Sequence, residues 1–257
     1  MKALIIAAGY ATRLHPLTDD RAKSLLPVGG RPMIDWIMDK VDEVNEVDEV
    51  HLVTNARFAD DFSAWAPTRN VIVHDDGTTS NEDRLGAIGD VAFVVDGQGW
   101  DGEDLIVIAG DNLFEFSLAE YAAFWRGQEG AASAIALHEH PVRELLREYG
   151  IVEVDPDGRV KNFVEKPENP ASNLVATATY IYDRAHVALL HAYLAEDNSR
   201  DAPGSFIEWL YKRAPVYGYR FSGDWLDIGD HSQLLEADNR LRARAGLPER
   251  AEYSLEE

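Results

Sequence analysis

The chain opens on an uninterrupted apolar run, Ala3–Ala8, set between Lys2 and Gly9, the pattern of a strand buried on both faces. Apolar residues then recur at helical spacing (Met33, Ile34, Ile37, Met38, Val41, Val44), with Pro32 suited to a first turn. This predicts a helix over 32–44. Strands are predicted at 49–54 and 70–74 around a helix at 57–65, and a second buried run predicts a strand at 104–109. Strands alternating with helices in this way argue for an α/β fold, with a mainly parallel sheet covered on both faces.

The second half changes character. A strand at 132–137 and a helix at 141–148 precede two alternating segments, 149–154 and 159–164, joined by Asp155-Pro156-Asp157-Gly158, a hairpin signal. Helices at 184–194 and 206–211, a strand at 216–221 and a helix at 232–244 complete the pattern. A chain of this length could form one α/β domain or two small ones.

Composition narrows the reading. The chain has 257 residues, 46% of them apolar, enough for a sizeable core and too apolar for a disordered chain. It contains no cysteine, which excludes disulfides and thiolate metal sites. Neither a signal peptide nor an apolar stretch long enough to cross a bilayer is visible, so a cytoplasmic location is expected. Against 24 Lys and Arg stand 46 Asp and Glu, a net charge of −22. Such a surface repels nucleic acid and anionic membranes, and neither is an expected partner. It fits either a source rich in salt or simply an acidic protein. Any site for an anion must therefore concentrate cations locally or recruit a metal.

Candidate chemistry gathers where the first strand ends. Gly9 turns the chain, small residues follow (Ala11, Thr12), and Arg13 and Lys23 bring two cations. A strand ending in such a loop aims backbone N–H groups at an anion, and the cations complete a polyphosphate cradle. This is neither the GxGxxG of dinucleotide folds nor a Walker loop. Asp111, in Gly110-Asp111-Asn112 at the end of the strand at 104–109, is placed to hold Mg2+. The turn-rich stretch 76–81 predicts a helix capped by Ser80 or Asn81, with Glu82 and Asp83 in its first turn and Gly86 inside it. Glu165-Lys166, taken alone, reads as a solvated surface pair. The histidines form no metal-binding pattern and read as structural.

The opening stretch resembles the signature of the sugar-phosphate nucleotidylyltransferases, the NDP-sugar pyrophosphorylases. The matching residues are Ala7-Ala8-Gly9-Tyr10-Ala11-Thr12-Arg13-Leu14-His15-Pro16-Leu17-Thr18, then Ala22-Lys23-Ser24-Leu25-Leu26-Pro27-Val28, then Arg31-Pro32-Met33-Ile34. Ala11 stands where the family has a second glycine, and Ala22 where it has proline. The first departure predicts that Ala11 does not take a positive φ. Five later segments carry the resemblance on: Gly110-Asp111-Asn112, Tyr149-Gly150, Glu165-Lys166-Pro167, Val175-Ala176-Thr177-Ala178-Thr179-Tyr180 with Ala178 in place of glycine, within a stretch (173–182) that resembles a family strand, and Trp225-Leu226-Asp227-Ile228-Gly229. The match spans about residues 2–240, without the hexapeptide repeats of some relatives, and implies a single domain over 1–245 followed by an acidic tail over 246–257.

The resemblance implies a Rossmann-like three-layer α/β/α fold with a mixed, mainly parallel sheet. It implies nucleotide contacts from Ala8, Gly9, Tyr10, Ala11, Thr12 and Gly86, although the family's base-reading Q-x-x-P-x-G is missing and Gly86 could equally serve packing. It implies Arg13 and Lys23 as catalytic residues and Asp111 and Asp227 as Mg2+ ligands. Asn112, Gly150, Glu165, Lys166, Thr177 and Trp225 would bind the second substrate, Trp225 also serving the core. Ala178 either narrows the sugar pocket or packs. The expected reaction joins a nucleoside triphosphate to a sugar 1-phosphate, giving an NDP-sugar and pyrophosphate. Two alternatives stay open: cytidylyl transfer to a non-sugar phosphate such as phosphocholine or an inositol phosphate, and a catalytically silent sugar-nucleotide sensor. The nucleobase, the sugar and any homo-oligomer are not specified.

Overall fold

The structure, a computed structural model, describes residues 1–255. The chain begins with β1 (Lys2–Ile6), passes through two 3-10 turns and the short ribbon β2 (Pro27–Val28) and β3 (Arg31–Pro32), and enters α1 (Met33–Val41). β4 (Glu49–Thr54), α2 (Ala59–Trp65), β5 (Val71–Asp75), α3 (Ala87–Gln98) and β6 (Leu105–Ala109) follow. Next come β7 (Asn112–Phe114), α4 (Leu118–Arg126), β8 (Ser133–Glu139), β9 (Gly150–Val154), β10 (Val160–Glu165) and β11 (Leu174–Tyr182). The last elements are α5 (Arg184–Val187), α6 (Leu190–Ala195), α7 (Gly204–Leu210), β12 (Val216–Phe221), β13 (Trp225–Asp227) and α8 (His231–Arg244).

Nine strands form one mixed, mainly parallel sheet. β1 lies between β4 and β6, parallel to both, with Ile6 opposite Val53 and Ala109. β5 extends the sheet beyond β4. On the other side β11 runs antiparallel to β6 and to β8, and β12 runs parallel to β8. The β9–β10 hairpin joins at Val175 opposite Ile151. Because side chains alternate along a strand, β1 feeds both faces. Ala3 and Ile5 pack with α1, α2, α4 and α8, while Leu4 packs with α3 and the helices of the second half. Both layers are buried, as the unbroken apolar run requires.

Three local expectations are corrected. The helix expected from Ser80 or Asn81 begins only at Ala87. Asp83 instead accepts from the backbone N–H groups of Thr79 and Ser80, closing a turn, the competing use of a short acidic side chain. Helix 184–194 is two short helices, broken where Leu189 N–H bonds back to His186 in a tighter turn. The 141–148 segment is a 3-10 helix over Arg143–Glu148. The described part of the tail folds back: Arg250 and Asn239 exchange two hydrogen bonds, and Tyr253 OH donates to Pro27 O at 2.8 Å. No helix among the described residues is long and apolar enough to cross a membrane.

Candidate active site

The carboxyl ends of the parallel strands open onto a cavity of about 480 Å3, the position at which open α/β sheets bind ligands. β1 delivers the loop 7–13 to its floor and β6 delivers Gly110-Asp111-Asn112 beside it. Gly110 must be glycine here, since a Cβ would meet Ser24 Oγ at 2.9 Å and Ile6 O at 3.0 Å. Ala11 does take the left-handed conformation, φ 47° and ψ 41°, contrary to expectation. Its carbonyl accepts from Leu14 N–H and Thr18 Oγ1, and Leu14 and Thr18 are both fully buried. Those anchors hold a conformation that costs an L-residue about 1–2 kcal/mol. Tyr10 contributes backbone, because its side chain is buried and its hydroxyl bonds Thr78 Oγ1 at 3.0 Å.

At the centre, pairing of β13 with β7 sets Asp227 opposite Asn112. The Asn112 amide donates to Asp111 at 2.8 Å and to Asp227 at 3.2 Å, and its oxygen accepts from Trp225 Nε1 at 2.7 Å. The tryptophan thereby fixes which way the amide faces. Lys23 Nζ bonds Asp111 Oδ2 at 2.8 Å. Burial works against ionising Asp111, but the Lys23 charge and hydrogen bond hold its carboxyl below the ordinary value. Asp227 is pushed up to about 6, first by burial and then by the charge of Asp111. Arg13 lies against Gly229, where a Cβ would meet its Nη2 at 3.0 Å.

The far wall comes from the second half. Glu165 Oε2 is wedged between two glycines: a Cβ on Gly150 would meet it at 3.0 Å, and one on Gly204 at 2.3 Å. Burial raises the Glu165 carboxyl above its usual value. Lys166, at φ 47°, anchors its N–H on Tyr149 O at 3.1 Å. Tyr149 meets Trp225 edge to face at 5.0 Å, with His138 and His140 in ring contact behind them.

Thr177 is not on this wall. It is fully buried and donates to Ala136 O at 3.1 Å, while Ala176, Ala178 and Tyr180 line the cavity. The period of two along β11 sends 177 to the opposite face, where its hydroxyl serves a carbonyl across from the irregular register between Ala176 and Tyr180. Ala178, at φ 51°, sits within that irregularity and presents its methyl to the cavity. Gly86, at φ 80°, ends the loop before α3 and touches the second half: a Cβ would meet Arg200 O at 2.6 Å.

The structure thus brings Ala8–Thr12, Arg13, Lys23, Gly86, Asp111, Asn112, Gly150, Glu165, Lys166, Trp225 and Asp227 around one cavity. Gly204, Asp201, Arg84, Tyr149 and Asp90 share it and escaped the sequence reading. Asp201-Ala202-Pro203-Gly204 reads only as a turn, and Asp90 only as one polar position in a helix.

Two facts bear on a metal. Six carboxylates line the cavity (Asp90, Asp111, Glu148, Glu165, Asp201, Asp227) against four cations, so a polyphosphate would need positive charge brought with it. Among the described residues no group of three or more metal-binding side chains occurs. Asp111 and Asp227 alone suit Mg2+, which binds through one or two carboxylates plus substrate phosphates and water. Burial first, and then the adjacent charge of Asp111, pushes Asp227 up, and a cation between the two would relieve the repulsion between them.

Comparison with known proteins agrees with this geometry. The model of the nucleotidyl transferase family matches residues 2–244. The chain belongs to that family. It is 27% identical to the bifunctional protein GlmU of Methanocaldococcus jannaschii, over 94% of this chain and 54% of that protein. It is 27% identical to a glucose-1-phosphate adenylyltransferase of Clostridium acetobutylicum, over 93% of this chain and 66% of that one. With the UTP–glucose-1-phosphate uridylyltransferase AglF of Haloferax volcanii it shares 26% identity, over 94% and 97% of the two chains. The chain spans about half the length of the GlmU relatives it matches. A Bacillus anthracis protein described as a glucose-1-phosphate thymidylyltransferase, in complex with sucrose, shares the fold. Its TM-score is 0.72, with 24% identity over 94% of this chain and 95% of that one.

Proposed function

We propose that the chain transfers a nucleoside monophosphate from a nucleoside triphosphate to a sugar 1-phosphate, releasing pyrophosphate and an NDP-sugar, with Mg2+ as cofactor. One observation carries the reading. Lys23 and Arg84 are paired within the cavity, whereas Arg13 and Lys166 face it without a salt bridge among the described residues. In a chain of net charge −22, two such cations around the neighbouring carboxyls of Asp111 and Asp227 suit a substrate that brings its own negative charge. Relatives named for glucose 1-phosphate support a sugar phosphate as acceptor.

In the step itself, an acceptor phosphate oxygen forms a bond to the α-phosphorus. The bond from that phosphorus to the bridging oxygen breaks in line, and pyrophosphate leaves with the electron pair. The nucleophile is already an anion near neutral pH, so the residues have to position and neutralise rather than remove a proton. Mg2+ on Asp111 and Asp227 would supply Lewis-acid charge stabilisation. Lys23 and Arg13 neutralise the triphosphate, with N–H groups of the loop 9–12 assisting. Lys166 holds the acceptor phosphate and Glu165 orients acceptor hydroxyls. The test is pyrophosphate release with Mg2+ across a grid of triphosphates and sugar 1-phosphates. A productive pair is expected, and no release anywhere in the grid, in low or high salt, would overturn the reading.

A further inference from the structure

Asp90 sits in the first turn of α3, 4% exposed, on the lining of the cavity. Its Oδ1 has no hydrogen-bond partner, and neither has Oδ2 of its neighbour Asp76. The other Asp76 oxygen is occupied, accepting from Thr78 N–H and Thr78 Oγ1 at 2.7 Å each. The Thr78 hydroxyl in turn meets Tyr10, the residue after Gly9. Arg84, the cation on this side of the cavity, is committed to Asp201 and to Asn81 O. Asp90 is buried and Asp76 half-buried, and their two shielded oxygens have no protein donor between them. One shared proton satisfies both orphan oxygens. Burial, followed by the charge of Asp76, pushes Asp90 up to about 8, consistent with that sharing. With its proton turned toward Asp76, Asp90 offers the cavity an acceptor and no donor.

The phosphate-binding cations Arg13 and Lys23 lie beyond the β1 loop, and the acceptor wall of Gly150, Glu165 and Gly204 belongs to the second half. The space beside Tyr10, Gly86 and α3 is left for the nucleobase. We infer that the Asp76–Asp90 pair selects a nucleobase bearing an exocyclic amino group, as in cytosine or adenine, over its keto counterpart. The inference rests on the proposed nucleotide transfer. An amino N–H supplies the donor that the pair lacks, whereas a carbonyl oxygen at the same place would meet an acceptor. A buried polar group left unpaired in this way separates matched ligands by roughly 5- to 150-fold.

The experiment is equilibrium binding to the full chain with Mg2+, measured calorimetrically with two matched pairs, CTP with UTP and ATP with ITP. Within whichever pair fits the cavity, the amino member should bind at least about tenfold more tightly. Asp90→Leu, which removes the acceptor, should collapse that ratio while its melting transition stays cooperative, whereas Asp90→Asn, whose amide can donate to Asp76 and leave its oxygen to the cavity, should keep it. If Asp90→Leu does not fold, the wild-type ratios alone decide. UTP or ITP binding as tightly as its amino partner would overturn the inference and leave nucleotide transfer standing, as would an unchanged ratio in folded Asp90→Leu. Binding of none of the four would overturn the inference, and pyrophosphate release across the full grid then decides nucleotide transfer separately.

Discussion

Gly204→Ala tests whether the wall behind Glu165 governs the acceptor. The added Cβ would fall 2.3 Å from Glu165 Oε2 and 2.7 Å from Phe163 Cζ, both far inside van der Waals contact. The Phe163 ring is 1% exposed and has nowhere to retreat, so the carboxylate must give way, together with the start of α7. Overpacking of this kind costs roughly 1–3 kcal/mol. For a chain of this size that lowers Tm by about 2–4 °C per kcal/mol. The functional effect should be larger and selective. A displaced Glu165 loses a charge-assisted hydrogen bond to the acceptor, about 1.5–3 kcal/mol, or roughly 10- to 150-fold in kcat/KM for the sugar phosphate. The triphosphate, held by the β1 loop and Lys23, should keep its affinity. The assay is pyrophosphate release with each substrate varied in turn, alongside thermal melts and a Glu165→Gln control. Unchanged acceptor kcat/KM in a folded variant, or an equal loss in triphosphate binding, would refute the assignment of this wall.

Further predictions follow from the same geometry. Arg13→Ala should lower turnover about a hundredfold or more with the fold intact, the scale of one lost transition-state charge partner; wild-type turnover would remove Arg13 from the site. Ala11→Gly relieves a left-handed alanine worth about 1–2 kcal/mol but adds about 0.4–1 kcal/mol of unfolded-state entropy. Tm should therefore rise slightly, and a fall of several degrees would contradict the strain at φ 47°. Asp90 titrates near 8 in the folded chain and near 3.9 unfolded. Between those values the native state binds more protons, so its contribution to stability declines as pH rises, by at most about 1.4 kcal/mol per pH unit. Asp90→Asn removes that slope, so its Tm advantage over wild type should grow from pH 5 to pH 8; a constant difference would show that Asp90 does not titrate in this window.

The layered fold was legible because its periods are local. Unbroken apolar runs at 3–8 and 104–109, helical spacing from Met33 to Val44 and the Asp155–Gly158 turn each describe their own segment, and β1, β6, α1 and the β9–β10 hairpin lie there. The loop that lines the cavity was legible too, because Gly9, Arg13 and Lys23 stand close together in one stretch, and all three reach the cavity. Tertiary structure alone decided the rest. Ala11 is left-handed because buried Leu14 and Thr18 hold its carbonyl, and nothing in the order of residues sets the sign of φ. Thr177 turns away because side chains alternate along β11, and only the assembled sheet decides that the face carrying Ala176 and Ala178 meets the cavity. Gly204 closes on Glu165 and Gly86 on Arg200 across long stretches of chain. Contacts of that kind depend on how elements pack in space, and the physical pattern of a single segment carries no record of the partner it will meet.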